Sequence, residues 1–406
     1  MALEAASSKP PSLLEKVAST LQSAISPSQP KDHEKSLTKD IVVKQIFIHP
    51  IKSCKGSSVE KADYDQAGLK FDRTWLIIDA ETRKFYTARD LPKMVLIHPK
   101  MDLENNKLII DVPLNHNGKG TVSVHTPLEP SQKEIEQFEL IDDITIWIHK
   151  VNGYAVSPQA DQVLSEFFGK PVRLVRKGPS RRPSGPLDPE GPKEWTENSV
   201  RYQDFYPCLV ATTASIKHVQ DTLKASLYPS PDDKSKLIER PEEEVKSYKV
   251  PKSVDREYWT LEELENLSIT RFRPNIVVTS TGKGDPLVPW EEDGWEAVEC
   301  FPSTQVDAPY GKEAEGKGKG VYLIARCARC MVPNIDPETG KRDNFLPYRV
   351  LQEFRQVDEG VKGSGKPCFG MLSVPREISG TIRVGDIVRV TRTTDPSKRS
   401  MKLPSK

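Results

Sequence analysis

The chain has 406 residues, 59 of them basic and 58 acidic, for a net charge of +1. That length accommodates two domains and a sizeable core, since single domains commonly run to roughly 100–200 residues, and near-neutrality removes the long-range field that would point to nucleic acid or an anionic membrane as partner. Six cysteines in so long a chain, with no secretory signal ahead of them, suit a reducing compartment with free or liganded thiols and no structural disulfides.

The first forty residues are rich in Ser, Lys and Pro and predict a disordered tail. It contains one amphipathic candidate, Leu13 to Ile25, with Leu14, Val17, Leu21 and Ala24 on one face. Acidic residues and the lack of arginine make this a poor transit peptide, and no stretch approaches the ~20 apolar residues of a membrane helix. The expectation is an intracellular protein, cytoplasmic rather than mitochondrial, with no membrane anchor and no transmembrane segment.

From Ile41 the pattern becomes short apolar runs between turn signals: Val42–Ile48, Trp75–Ile78, Phe85–Thr87, Met94–His98, Lys107–Val112, Thr121–His125 and Asp143–His149. Runs of this length rich in Val, Ile and aromatics predict strands. In the last of them Ile144, Ile146 and Ile148 alternate with Thr145, Trp147 and His149, the period of a half-buried strand. Asp79 to Lys84 reads as a hairpin turn. Ser157-Pro158, the apolar set Val163, Leu164, Phe167 and Phe168, and Gly169 spell cap, face and stop of a helix. A Pro-, Gly- and Arg-rich stretch (177–200) then breaks all periodicity. A strand at Cys208–Ala211 feeds a helix with Ile216, Val219 and Leu223 on its face, a charged insertion occupies 229–257, and strands resume at Asn275–Thr279 and Glu296–Phe301. After a Lys/Gly-rich loop (Gly311–Gly320) come the strand Val321–Ala325, a helix at Leu346–Val357, and strands at Phe369–Val374, Thr381–Val384 and Ile387–Val390. The fold class expected is α+β, mainly β, divided into a tail (1–40), an N-terminal β-barrel-like domain (41–176), the loop 177–200, a second β-barrel domain with flanking helices (201–393) and a basic tail (394–406). Regular βαβα alternation is lacking, which argues against a doubly wound sheet.

The chemistry concentrates in Arg326-Cys327-Ala328-Arg329-Cys330-Met331. Neighbouring cations lower a thiol's pKa, so Arg326 and Arg329 favour ionised sulfur able to bind a soft metal or attack an electrophile. The pair reads as half a zinc site lacking its other ligands, as a dithiol without the usual strand-to-helix setting, as an incidental pair, or as one thiolate serving a metal carried by a cofactor. Lys52-Ser53-Cys54-Lys55-Gly56 follows a strand and offers two ammonium groups and a close turn, an anion site or a solvated turn. Arg73 and Arg89 each stand at the mouth of an apolar run. In Arg271-Phe272-Arg273-Pro274-Asn275 the proline biases Arg273 toward extended backbone; the guanidinium suits phosphate and Asn275 a heterocycle edge. Asp204 is the one carboxylate in an aromatic stretch, a proton donor, an acceptor for a ring N–H, or a cap. No Ser–His pairing, dinucleotide fingerprint or P-loop occurs.

In this order, Pro50-Ile51-Lys52-Ser53-Cys54-Lys55-Gly56, Asp72-Arg73-Thr74-Trp75, Thr87-Ala88-Arg89, Phe272-Arg273-Pro274-Asn275-Ile276, Cys327-Ala328-Arg329-Cys330, Asp336-Pro337-Glu338-Thr339-Gly340 and Gly380 to Asp386 closely resemble the MOSC proteins, and among them the amidoxime-reducing components. The likeness runs from about Ile41 to about Arg392. It implies a molybdenum–molybdopterin cofactor, with Cys330 as the metal ligand, Lys52, Ser53, Arg73, Arg89, Arg273 and Asn275 as cofactor contacts, and Asp204 as the pocket aspartate. It further implies a molybdenum oxidoreductase acting on small N-hydroxylated substrates, with electrons from a cytochrome b5-type donor and its flavin reductase; the chain itself shows no haem, flavin, iron–sulfur or pyridoxal-phosphate motif. The sulfurase branch of the same superfamily implies the alternative of a cofactor carrier or sulfur-transfer module. Phe205-Tyr206 departs from the small hydroxyl residues usual after the family's aspartate.

Overall fold

A computed structural model describes residues 40–114, 120–185, 198–229, 245–282, 285–303 and 319–398. The candidate helix at Leu13–Ile25, the middle of the 177–200 loop, most of the 229–257 insertion and most of the Gly311–Gly320 loop lie outside these residues.

The core is a closed barrel of seven strands. Around it run Ile276–Ser280, Cys208–Thr212, Cys368–Pro375, Lys319–Ala328, Trp295–Phe301, Ile387–Thr393 and Ile41–Ile48, and the last pairs back onto the first. Closure leaves no free edge and lets inward side chains fill the lumen. Its apolar filling includes Ile41, Val43, Val278, Leu323, Met371 and Val388, all buried. Only Cys208–Thr212 and Ile276–Ser280 pair in parallel, and the helix Thr213–Leu227 lies on the long crossover that a parallel pair requires. That helix starts where the Thr212 side chain caps the Ser215 N–H. Its buried Ile216, Val219, Leu223 and Leu227 pack on Trp259, Phe272, Leu351 and Phe369, each worth roughly 1.5–3 kcal/mol of burial before chain entropy is charged.

The strand Ile41–Ile48 belongs to this barrel although it comes from the far end of the sequence. The chain then builds three smaller sheets: Trp75–Asp79, Val172–Lys177, His149–Ala155 and Glu139–Ile146; His98–Asp102, Lys107–Pro113 and Thr121–Pro127; and Ser379–Arg383 with Lys61–Asp65 and Gly68–Leu69. The expected helix forms at Pro158–Phe168, with Ser157 accepting from Ala160 N–H and Gly169 in the left-handed conformation (φ 68°).

Three expected strands differ. Met94–His98 is mostly a 3₁₀ turn, Pro92–Leu96, because Pro92 at its first turn presets the helical φ and the buried Met94 and Val95 anchor it; the strand begins at His98. The run Asp143–His149 is a hairpin: Ile144 and Ile146 are buried, but Trp147 turns with φ 57° and Ile148 is 66% exposed. Phe85–Thr87 contributes only an isolated bridge from Phe85 to Ile78.

The 3₁₀ turn Glu291–Gly294 buries two adjacent carboxylates. Asp293 Oδ2 accepts from Arg326 Nε and Arg355 Nη2, each at 2.8 Å. Glu292 Oε2 accepts from the hydroxyls of Thr212 (3.2 Å) and Ser215 (2.9 Å), and among the described residues no partner meets its buried Oε1. Burial, and then repulsion from Asp293, push its pKa up to about 7. An acid raised in the folded state binds a proton that the unfolded chain has released, so stability is full below about pH 4.5 and falls until about pH 7. Glu292→Gln is expected to remove that slope, worth roughly 3 kcal/mol. Urea unfolding of both proteins at pH 5 and pH 8 checks this; parallel pH dependence would refute it.

Candidate functional site

The cavity that gathers the marked residues opens where the barrel meets the sheet containing Trp75–Asp79. Beyond the strand Ile41–Ile48 the chain crosses to the first turn of that sheet, with Lys52 N–H donating to Trp75 O at 2.9 Å. This buries Lys52, whose Nζ donates to Tyr202 O (2.8 Å) and to Asp204 Oδ1 (2.5 Å). Burial lowers the Lys52 pKa against the opposing pull of Asp204. Desolvation raises the Asp204 pKa, but the Lys52 charge and hydrogen bond, with Arg89 and Arg182 beyond, outweigh it and hold the carboxyl below its usual range. Lys55 points elsewhere and pairs with Glu338 at 2.7 Å, so the turn gives the cavity one ammonium, not two. Gly56 is needed for close packing: a Cβ there would sit 2.6 Å from the His49 ring.

Arg73 comes next. Its Nη1 donates to both oxygens of the fully buried Asp72 at 2.7 Å and to Asn275 Oδ1 at 3.2 Å, while Nη2 donates to Arg273 O at 3.2 Å. Asn275 in turn accepts from Leu209 N–H (3.1 Å) and donates to Phe47 O (3.1 Å), tying three barrel strands together beneath the guanidinium. Arg273 is not extended, as its following proline suggested; it has φ 58° and caps the 3₁₀ turn Ile269–Phe272. Its Nη1 donates to Cys54 O at 2.8 Å, and its Nη2 is buried without a partner. Burial, and then the adjacent Arg73 charge, disfavour its ionised form. Since a guanidinium stays protonated, the unpartnered nitrogen beside a second cation is a standing demand for an anion. Ser53 and Arg73 also have positive φ, 70° and 45°, and non-glycine residues held there cost about 1–3 kcal/mol each, a cost typical of ligand sites.

The opposite wall is the end of the strand Lys319–Ala328. Cys327 is its penultimate residue, and Cys330 lies two residues beyond its end. The two arginines of the motif part company. Arg329 donates from Nη1 to Cys327 Sγ (2.9 Å) and from Nη2 to Phe272 O (2.8 Å). Arg326 points to the far side of the strand and pairs with Asp293, so it does not act on the thiols. Burial raises the Cys327 pKa more than Arg329 lowers it. No described residue hydrogen-bonds to Cys330 Sγ.

The mouth is aromatic. Trp147, at the hairpin turn, donates Nε1–H to Asp204 Oδ1 (3.3 Å), stacks on Phe205 (centroids 6.0 Å apart, 20° between planes), meets Phe85 edge-on at 5.6 Å and carries the Arg89 guanidinium 5.0 Å from its ring.

Lys52, Ser53, Arg73, Arg89, Asp204, Arg273, Asn275 and Cys330 therefore line one cavity of about 280 Å³, although 278 positions separate the first from the last in the chain. Cations predominate on its wall, with Arg329 and Lys366 added and Asp204 as its carboxylate.

Residues 40–171 match the MOSC N-terminal beta barrel domain and residues 250–389 the MOSC domain. The chain belongs to the MOSC-domain proteins. Among its relatives, mitochondrial amidoxime-reducing component 1 of Danio rerio is 27% identical over 87% of this chain and 86% of its own length, and that of Homo sapiens 26% identical over 85% and 82%. A molybdenum cofactor sulfurase of Solanum lycopersicum is 24% identical over 84% of this chain, which corresponds to 35% of that longer protein.

In this MOSC protein the donor set suits an anionic organic group carrying a thiophilic metal: a buried, unpartnered guanidinium nitrogen on one side, and a thiol without a hydrogen-bond donor on the other. Among the described residues no group of three or more His, Cys, Asp or Glu is placed to hold a metal ion. Sequence reasoning marked Arg329 as a neighbour of the thiols, but it did not mark Trp147 on the cavity wall or Arg182 behind the Asp204 loop. Arg182 donates to Gln203 O (2.6 Å) and Asp204 O (2.5 Å), so it holds the Asp204 loop in place. Its only sequence signal was membership of an arginine-rich loop. Trp147 was hidden by being read as one residue of an alternating strand.

Proposed function

We propose that the cavity binds a molybdenum–molybdopterin cofactor, with Cys330 as the protein's metal ligand and Lys52, Ser53, Arg73, Arg89, Arg273 and Asn275 around its anionic part, and that the protein reduces N-hydroxylated compounds such as amidoximes and hydroxamic acids. The observation that carries this reading is the buried Arg273 nitrogen without a partner, next to Arg73, in the same cavity as the Cys330 thiol. The cofactor would supply the two-electron oxygen-atom chemistry that side chains lack. Converting N–OH to N–H with release of water consumes two electrons and two protons. The electrons would come from a cytochrome b5-type donor and its flavin reductase, and the protons through the Lys52–Asp204 pair at the mouth, where burial makes the ammonium a readier acid. The amidoxime-reducing names of the relatives support this reading at the level of the family. No helix among the described residues is long and apolar enough to cross a membrane.

The sulfurase similarity favours a second reading, a carrier or sulfur-transfer module using the same cavity. Protein from a cofactor-competent host is expected to contain molybdenum near one atom per chain and to reduce benzamidoxime when cytochrome and reductase are supplied. Full loading without turnover would select the carrier; zinc, or no metal, would sink both.

A further inference from the structure

The wall residues given to the cofactor leave Trp147, Phe205, Ala328 and Leu372 of the cavity lining without a task. Trp147 and Phe205 come from different segments, the turn of the Glu139–Ile146 hairpin and the loop before Cys208–Thr212, yet their rings lie nearly parallel. Both are half-buried and both line the cavity, so each keeps surface turned to its interior. Phe205 also packs with Ala328 and Leu372, which continue the apolar surface toward the Cys330 wall. Arg89, itself on the cavity wall, lies with its guanidinium 5.0 Å from the indole ring, Phe85 meets the indole edge-on, and Trp147 Nε1–H is tied to Asp204. The platform is thus prepositioned, with an acceptor carboxylate at its edge.

We infer that Trp147 and Phe205 form the subsite for the body of the substrate, selecting compounds whose N–O group is borne on a planar aromatic or heteroaromatic ring over alkyl ones. Ring stacking on a fixed platform loses little side-chain entropy and gains area burial together with quadrupole contacts, whereas a short alkyl chain covers only part of it. An N–H or O–H next to the ring would donate to the outer lone pairs of Asp204, since Lys52 and Trp147 bind only Oδ1. The inference rests on the reductase reading for the reaction, but not for binding.

Binding and turnover therefore provide separate arms. With metal-loaded protein, benzamidoxime is expected to quench intrinsic tryptophan fluorescence saturably and to bind more tightly than acetamidoxime. Trp147→Leu should weaken benzamidoxime binding by roughly 3- to 10-fold, the range of one aromatic contact, and lower the benzamidoxime-to-acetamidoxime ratio of kcat/KM mainly through KM. Trp147→Phe, which keeps an aromatic ring at the turn, should restore most of both, and this excludes misfolding as the cause. An unchanged aryl-to-alkyl ratio in Trp147→Leu would overturn the subsite, even if both compounds are reduced. Ring-selective binding that depends on Trp147 without any turnover would keep the subsite and remove the reductase reading.

Discussion

Cys330→Ala, expressed beside the wild type in a cofactor-competent host, is expected to purify with essentially no molybdenum and with amidoxime reduction at background. Cys327→Ala should keep most of both. The two thiols look alike in the sequence but are not alike in the fold. Cys327 is part of the strand, its sulfur already accepts from Arg329, and burial pushes its pKa up. Cys330 lies past the strand end on the cavity wall, and no described residue hydrogen-bonds to its sulfur. It is only half-buried, so truncating it should cost little stability, roughly within 1 kcal/mol, and metal loss will not be confused with unfolding. Metal analysis with circular dichroism on both variants decides the matter. Equal molybdenum loss in the two would mean that the pair binds metal as a chelate.

The second large effect falls on a residue that need not touch any ligand. Asp72→Ala is expected to destabilise the protein by about 3–5 kcal/mol, because it strips the counter-ion from a guanidinium held in the interior. Asp72 is fully buried and accepts from Arg73 Nη1 on both oxygens and from His49 N–H at 2.9 Å. Desolvation alone would raise its pKa, but the Arg73 guanidinium holds it well below the usual carboxylate range. A depressed acid contributes stability that is present above its unfolded pKa, near 3.9, and is lost as pH falls toward the folded value. The variant should therefore be less stable at neutral pH and lose part of the wild type's decline below about pH 4. Denaturant midpoints at pH 7 and pH 3.5 test both halves. A loss under about 1 kcal/mol at neutral pH would show that Asn275 and the Arg273 carbonyl suffice to hold Arg73.

An added consequence is that Arg73 without Asp72 keeps its charge but loses its aim. Its fork is set by four acceptors, two on Asp72 and one each on Asn275 and Arg273. Bidentate anion recognition depends on that planar geometry more than on charge alone.

What the sequence determined by itself was local or linear. The capped helix Pro158–Phe168 was legible because Ser157, Pro158 and Gly169 act within one turn of where they stand. Most barrel strands were legible because fully buried strands are continuous apolar runs, whereas Lys61–Asp65 escaped notice because only Ala62 and Tyr64 of its five residues are buried. The order of the motifs carried the family. Tertiary structure decided everything that depends on which side a residue faces or what lies across from it. Only the barrel closure of Ile41–Ile48 on Ile276–Ser280 brings Lys52 and Arg73 to Arg273 and Asn275. Only packing sends Arg326 to Asp293 and Lys55 to Glu338 while Arg329 and Lys52 stay in the cavity. Arg273 takes a left-handed conformation against its proline's preference because capping the turn and holding Cys54 and Arg73 outweigh a local bias of about 1–2 kcal/mol. Trp147 belongs to the mouth because a hairpin turns there, and neighbouring residues in the sequence cannot report where a turn will point.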